Sequence, residues 1–315
     1  MHQMNIDPKT FPLTNDMTKP SSSEHLSDLL ARNFDQLTFE DYAPLFRQIA
    51  AIPTPLAPAS KPLSGGVIQF WDRDPDHQIL DLLGATRRRC EALGVPWQSY
   101  DDASAEALLA AELGKTHVEV YRKCLHPVQR SDFFRYCAIY LNGGLWLDAD
   151  VVMVADPRPL LRSKVPIFFQ RTDSHGGLAN GLLFAPPRHD IFGEIVEACV
   201  ANMLDEAFFE EHAKTRNIIA LTGIQVVNRT VAQRVHRFLV GRQTDQLPPI
   251  GLIDDAGYRA FVQGGAAYLG APLAYKDGPC SWQDWCRQAS GNPLDPAVQQ
   301  QLLRRIPAKA PDRRR

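Results

Sequence analysis

Two aspartates one residue apart, Asp148 and Asp150, close the apolar run Leu145-Trp146-Leu147. A short apolar run of this kind reads as a buried strand. In an extended chain residues i and i+2 project to the same side, so both carboxylates are expected to meet one ligand at the strand's end. Two like charges packed there repel each other unless a cation sits near them. Hard oxygen ligands of this type suit Mg²⁺ or Mn²⁺, with a phosphate completing the shell. An acid and a base, Asp132 and Arg135, precede them by less than twenty residues. Taken alone, they describe an ordinary i, i+3 ion pair on a helix.

The elements that must position these groups are legible around them. Ser131 to Leu141 has a helical stripe of Phe134, Cys137, Ala138 and Leu141. Gly143-Gly144 ends that helix and turns the chain into the strand. A lone D-x-D recurs by chance in many loops. Helix, Gly-Gly turn, apolar strand and D-x-D compressed between Arg130 and Asp150 is a far more specific pattern.

The chain has 315 residues with 34 Lys+Arg and 36 Asp+Glu, a net charge of −2. That balance gives no general reason to bind nucleic acid or an anionic surface. With 44% hydrophobic and 22% charged residues, it reads as globular and not disordered. The first twenty residues lack a basic segment followed by an apolar one. No run approaches the ~18 apolar residues that would span a bilayer. The six cysteines contain no C-x-x-C pair and read as reduced thiols, although Cys280 and Cys286 could form a local pair.

Residues 1–23 read as a polar tail. Two amphipathic helices follow, at about 24–33 and after Thr38, with Tyr42, Leu45, Phe46 and Ile49 on the apolar face of the second. Thr38 and Asp41 have the spacing of a capping box. Pro53, Pro55, Pro58 and Pro62 then mark a stiff linker and a domain boundary. Residues 24–63 are thus expected to be a helical extension, 64–290 the main domain and 291–315 a tail. Val67 to Trp71 reads as a strand, the stretch carrying Ile79 to Leu93 as a helix ended by Gly94, Val95 to Tyr100 as a strand and Ser104 to Leu113 as a helix. This alternation predicts an α/β fold, a Rossmann-type mostly parallel sheet flanked by helices. Ligands of such sheets sit at the carboxyl ends of the strands, near a switch in strand order.

The stretch 130–150 resembles the DXD-containing sugar-binding region of glycosyltransferases related to yeast-type α-1,6-mannosyltransferases and bacterial capsular and polysaccharide glycosyltransferases. More distantly, it is similar to the large clostridial glucosylating toxins. Ser131, Asp132, Arg135, Tyr136, Gly143, Gly144, Asp148 and Asp150 match, and Trp146 stands where Tyr is usual. Gln69-Phe70-Trp71 matches the family's opening Q-x-W, with Ile68 in place of the frequent His. The resemblance implies a GT-A-like fold and a hexosyltransferase using a UDP- or GDP-sugar, with Mn²⁺ or Mg²⁺ and retention of configuration. It implies that Asp150 ligates the metal and that Asp148 holds the ribose and, through water, the metal. Asp132 and Arg135 would hold hydroxyls of the donor sugar, and Trp71 would stack on the nucleobase. Asn180 would face the donor at the opening of a strand. Ser281 and Trp282 would close on the diphosphate, and Asp277 could add a metal contact. Thr222-Gly223 sits where relatives carry T-G-P, with Ile224 replacing the proline. Relatives often carry a His near Asp277, where this chain has Lys276.

Two other readings stay open. An apolar strand followed by D-x-D also describes a phosphatase of the haloacid-dehalogenase type, with Asp254-Asp255 as its later acidic pair. A non-catalytic protein that binds sugar nucleotides is the other. For the transferase, the absence of an anchor suggests a bacterial cytoplasmic enzyme of polysaccharide biosynthesis. Its partners would be a nucleotide-sugar and a glycan or lipid-linked acceptor. A secreted effector acting on a protein acceptor is the alternative. The N-terminal helices could touch an acceptor or a membrane surface, and no nucleic-acid partner is expected.

Overall fold

The computed structural model describes residues 23–50, 62–171, 176–241, 250–276 and residue 285. Asp277, Ser281, Trp282, Cys280, Cys286, most of the proline run and both tails lie outside these described residues.

The described strands are β1 (Val67–Phe70), β2 (Trp97–Tyr100), β3 (Gly144–Leu147), β4 (Val151–Met153), β5 (Ile167–Gln170), β6 (Leu178–Ala185), β7 (Gly251–Ile253) and β8 (Val262–Gly264). Six form one sheet in the order β2-β1-β3-β6-β5-β7, and β4 pairs with β8 in a small separate ladder. The pairs β2/β1, β1/β3 and β5/β7 are parallel, whereas β6 runs antiparallel to both β3 and β5. The architecture is therefore the expected α/β sheet, mostly parallel, with β6 as its antiparallel member. A short connection between β5 and β6 leaves no length for a crossover helix and dictates that direction.

The chain passes from β1 outward to β2 and returns to place β3 on the other side of β1. The carboxyl ends of β1 and β3 thus flank a switch in strand order, where a crevice opens. The helix His77–Leu93 makes the first crossover. Asp76 caps it by accepting the Ile79 N–H, and Gly94, at φ 63°, ends it. Asp102–Glu112, Lys115–Lys123 and Pro127–Asn142 lead back to β3. Lys115–Lys123 was not apparent in the pattern. The helix expected from Ser131 starts a turn earlier, because Pro127 fits a first helical turn and His126 caps it.

The turn into β3 depends on glycine. Gly143 and Gly144 have φ of 64° and 115°. A Cβ on Gly144 would lie 2.5 Å from the Gly66 carbonyl, and one on Gly65 would lie 2.7 Å from Gly143. The two glycine pairs pack back to back and let β1 and β3 enter the sheet together, with Leu145 N–H donating to Gly66 O at 2.8 Å.

Apolar side chains of β1, β3, β5 and β6 meet the helices Pro127–Asn142, Asp190–Leu204 and Ile224–Val240 in one large core. Leu29, Phe34, Leu45, Phe46 and Ile49 from the N-terminal helices belong to that same core. They pack on the helix Ile224–Val240. Asp41 accepts the Thr38 N–H at 2.8 Å as the capping spacing predicts, opening a 3-10 turn that runs straight into the helix Tyr42–Ala50. Asn228, fully buried, accepts the Leu178 N–H and donates to the Leu178 and Ile224 carbonyls. It pins the start of β6. Among the described residues, no helix is long and apolar enough to cross a membrane.

Candidate active site

The helix Pro127–Asn142 lies against the sheet with Asp132 and Arg135 turned inward. Both are buried, and Arg135 Nη2 lies 3.0 Å from Asp132 Oδ1, so this is no surface ion pair. Arg135 Nη1 donates to the Asn180 carbonyl at 2.5 Å and lies 3.1 Å from Asp148 Oδ1. Nη2 also donates to Ser131 Oγ at 3.2 Å, and the guanidinium sits 5.0 Å from the Trp146 ring centroid. Asn180 donates from its side chain to Asp132 Oδ1 at 2.8 Å and to Tyr136 Oη at 3.3 Å. One helix, the end of β3 and the start of β6 are thereby tied by a single arginine. Gly223, from the loop after Thr222, closes over the same acid, since a Cβ there would come 3.2 Å from Asp132 Oδ2.

The D-x-D does not continue the strand. Asp148 to Val151 form a turn between β3 and β4, with Val151 N–H pointing to Asp148 O at 3.4 Å. The extended geometry expected for the pair is therefore replaced by a bend, because β4 leaves the main sheet to pair with β8. The carboxylates remain close enough for Asp148 to feel the charge of Asp150. Asp148 is the more open of the two, with 37% of its side chain exposed. Its Oδ1 accepts the Trp146 indole N–H at 3.1 Å. Its backbone is fixed from both sides: Asp148 N–H donates to Gly181 O at 3.2 Å, and the buried Gln69 side chain donates to Asp148 O at the same distance. Gln69 in turn accepts the Trp97 indole N–H at 3.0 Å. Asp150 uses Oδ2 twice, accepting from Tyr275 Oη at 2.8 Å and meeting Lys276 Nζ at 2.5 Å.

The electrostatics follow from this crowding. Removal from water pushes the Asp132 carboxyl up to about 7, with Arg135 pulling it down and Asp148 adding repulsion. Asp148 is also raised, first by loss of water and then by Asp150, against the pull of Arg135. The Tyr275 and Tyr258 hydroxyls are held protonated by burial and by the neighbouring carboxylates.

Trp71, at the end of β1, is half-buried, and its ring meets Tyr275 edge-on at 5.0 Å. Tyr258 stacks on Phe169 at 4.2 Å and faces the D-x-D turn from the helix Asp255–Phe261. Neither Tyr258 nor Tyr275 was marked by any sequence pattern. Asp254, the candidate acidic partner of a phosphatase, caps that helix by accepting Gly257 N–H at 2.8 Å. Among the described residues, no three His, Cys, Asp or Glu side chains are grouped to hold a metal ion. Asp148 and Asp150 supply two hard oxygen donors. Asp277, Ser281 and Trp282 fall outside the described residues. The described Cys90, Cys124, Cys137 and Cys199 are free thiols.

Residues 98–166 match the family described as the glycosyltransferase sugar-binding region containing the DXD motif. The match runs from β2 to the approach of β5 and includes Asp132, Arg135, Asp148 and Asp150. That stretch is therefore similar to the DXD-type sugar-binding region of glycosyltransferases. A solved structure titled PaToxG Glycosyltransferase is similar at 14% identity, covering 82% of this chain and 94% of that one, with a TM-score of 0.43. No curated protein matches the chain.

Proposed function

We propose that the protein is a glycosyltransferase that moves a sugar from a UDP- or GDP-sugar to a hydroxyl-bearing acceptor, with Mn²⁺ or Mg²⁺ and with retention of configuration. The observation that carries this reading is the meeting of the D-x-D turn with the Asp132–Arg135–Asn180 cluster, at the carboxyl ends of β1 and β3.

The donor set fits a hard divalent ion. With all groups ionised, Asp132, Asp148 and Asp150 outnumber Arg135 and Lys276, so the site has negative charge to balance. Asp150 and Asp148 would hold the ion, with Asp277 as a further candidate. When bound, the ion would neutralise charge developing on the departing diphosphate. Trp71 offers a ring face for the nucleobase. Asp148, half-exposed and fixed along its backbone, would accept from the ribose. Asp132, Arg135 and Asn180 would orient the sugar hydroxyls. They are already held by one another, so little reorganisation is needed when the donor binds. Ser281 and Trp282 are proposed to cover the diphosphate. The acceptor hydroxyl would enter on the face from which the diphosphate leaves, and no side chain is assigned as a covalent nucleophile. A bacterial cytoplasmic enzyme of glycan or lipid-linked sugar synthesis is the favoured setting, and a secreted effector acting on protein the alternative.

The test is thermal unfolding with Mn²⁺ and a panel of UDP-, GDP- and dTDP-sugars, wild type against Asp150→Ala. A ligand at a hundred times its Kd stabilises by about 2.7 kcal/mol. A metal-dependent rise with one nucleotide, lost in the variant, is expected. No response to any nucleotide, with turnover of a simple phosphate ester, would overturn the assignment.

A further inference from the structure

The strongest unassigned feature is the occupation of Asp150 by the chain's own cation. Lys276 Nζ sits 2.5 Å from Asp150 Oδ2, and the Tyr275 hydroxyl donates to the same oxygen. The lysine side chain is 43% exposed and the aspartate's 18%, so the pair lies at the mouth of the site. Tyr275 also packs on Trp71, so two consecutive residues link the end of β1 to the D-x-D turn. One carboxylate oxygen with a hydroxyl and an ammonium upon it has little room for a third electrophile.

We propose that Lys276 is a resident counter-cation of the D-x-D site, and that a divalent ion binding Asp150 must displace its ammonium from Oδ2. The proposal rests on the transferase reading, in which Asp150 is a metal ligand. It adds that metal loading and release of the Tyr275–Lys276 pair are one event. An ammonium is a compact point charge on a flexible stem and can swing away at modest cost. Whenever no divalent ion is bound, Lys276 supplies a substitute charge, so Asp148 and Asp150 never face each other without a cation beside them.

The measurement is Mn²⁺ binding to the metal-free full-length protein, read from the electron paramagnetic resonance signal of free Mn²⁺. Wild type is compared with Lys276→Met and Lys276→Arg. The methionine variant is expected to bind on the order of five-fold more tightly, the factor matching loss of a partly exposed ion pair. The arginine variant should stay near wild type. Equal or weaker binding by Lys276→Met would overturn the proposal. A second readout follows the lysine itself, by amine-reactive labelling and mass spectrometry, with Asp150→Asn as the reference for a released side chain. Labelling of Lys276 should rise with Mg²⁺ but not with NaCl at equal ionic strength, and unchanged labelling would also overturn the proposal. Failure of the wider reading has a different signature: no variant would bind either Mn²⁺ or a nucleoside diphosphate, and both proposals would fall together.

Discussion

Arg135 and Asp148 meet at 3.1 Å, Nη1 to Oδ1, across the gap between a core helix and the end of β3. The same guanidinium holds Asp132 at 3.0 Å. One cation therefore serves two carboxylates from different elements, and only 5% of its side chain is exposed.

Arg135→Leu is expected to destabilise the fold by about 3 kcal/mol, because it leaves Asp132 buried without its counter-charge. Arg135→Lys keeps the charge but loses the fork that reaches Asn180 and both acids, so it should retain more stability than Leu and still bind donor poorly. Urea unfolding combined with donor titration separates the two effects.

The Asp132 carboxyl, raised to about 7, makes stability depend on pH. The folded state holds this proton more tightly than the unfolded chain, whose Asp titrates near 4. The proton's contribution is therefore full below pH ~4 and is lost as pH rises toward ~7. Relative to Asp132→Asn, the wild type should lose stability across that window. Donor binding should strengthen over the same range, as the carboxylate becomes a full acceptor. A flat stability difference between the two proteins would contradict the burial argument.

Two glycines should fail differently. Gly144→Ala puts a methyl 2.5 Å from the Gly66 carbonyl at a φ of 115°, and it should cost several kcal/mol, on the order of the largest single-site effects. Gly181→Ala puts one 3.0 Å from Asp148 Oδ2 in a backbone without positive φ. It should leave the melting temperature nearly unchanged while weakening donor binding, as calorimetry would reveal.

Trp71→Ala should reduce nucleotide affinity by about 1–3 kcal/mol, the typical worth of an aromatic platform under a base. Trp71→Phe should recover most of that loss. An affinity indifferent to both changes would assign Trp71 to packing against Tyr275 alone.

Phe46→Ala, in the N-terminal helices, should cost about 3 kcal/mol, as for any fully buried aromatic in a core. The loss should appear in a single unfolding transition together with the sheet, since Phe46 shares its apolar cluster with Phe133, Trp146 and Phe168.

Residues close together in the chain reveal their shared site in the sequence, and distant ones do not. Asp132, Arg135, Asp148 and Asp150 were legible because helix, turn, strand and acids are contiguous, and local periodicity fixes their relative placement. Tyr275 lies 125 residues from the Asp150 it touches, and no period connects them. Tyr258 reaches the site from a helix whose only local signal is its Asp254 cap. The bend at the D-x-D was hidden for the same reason, since β4 leaves the sheet for a partner, β8, more than a hundred residues away. The proline run after the N-terminal helices reads as a separation. The apolar stripe of Leu45, Phe46 and Ile49 demands a cover, and only the tertiary fold says that the cover is the helix Ile224–Val240.

Because β6 is antiparallel, it begins at the site, whereas β1 and β3 end there. Asn180 and Gly181 therefore follow the connection from β5 instead of preceding a connection, and Asn228 anchors the strand just upstream of them. Arg171 N–H donates to Gly177 O at 3.0 Å, so the pairing of β5 with β6 runs on past Gln170 and Leu178 toward the site. On the proposed transferase reading, the opening of β6 at Asn180 and Gly181 is the place to vary the sugar accepted, with Asp132, Arg135, Asp148 and Asp150 left as they are.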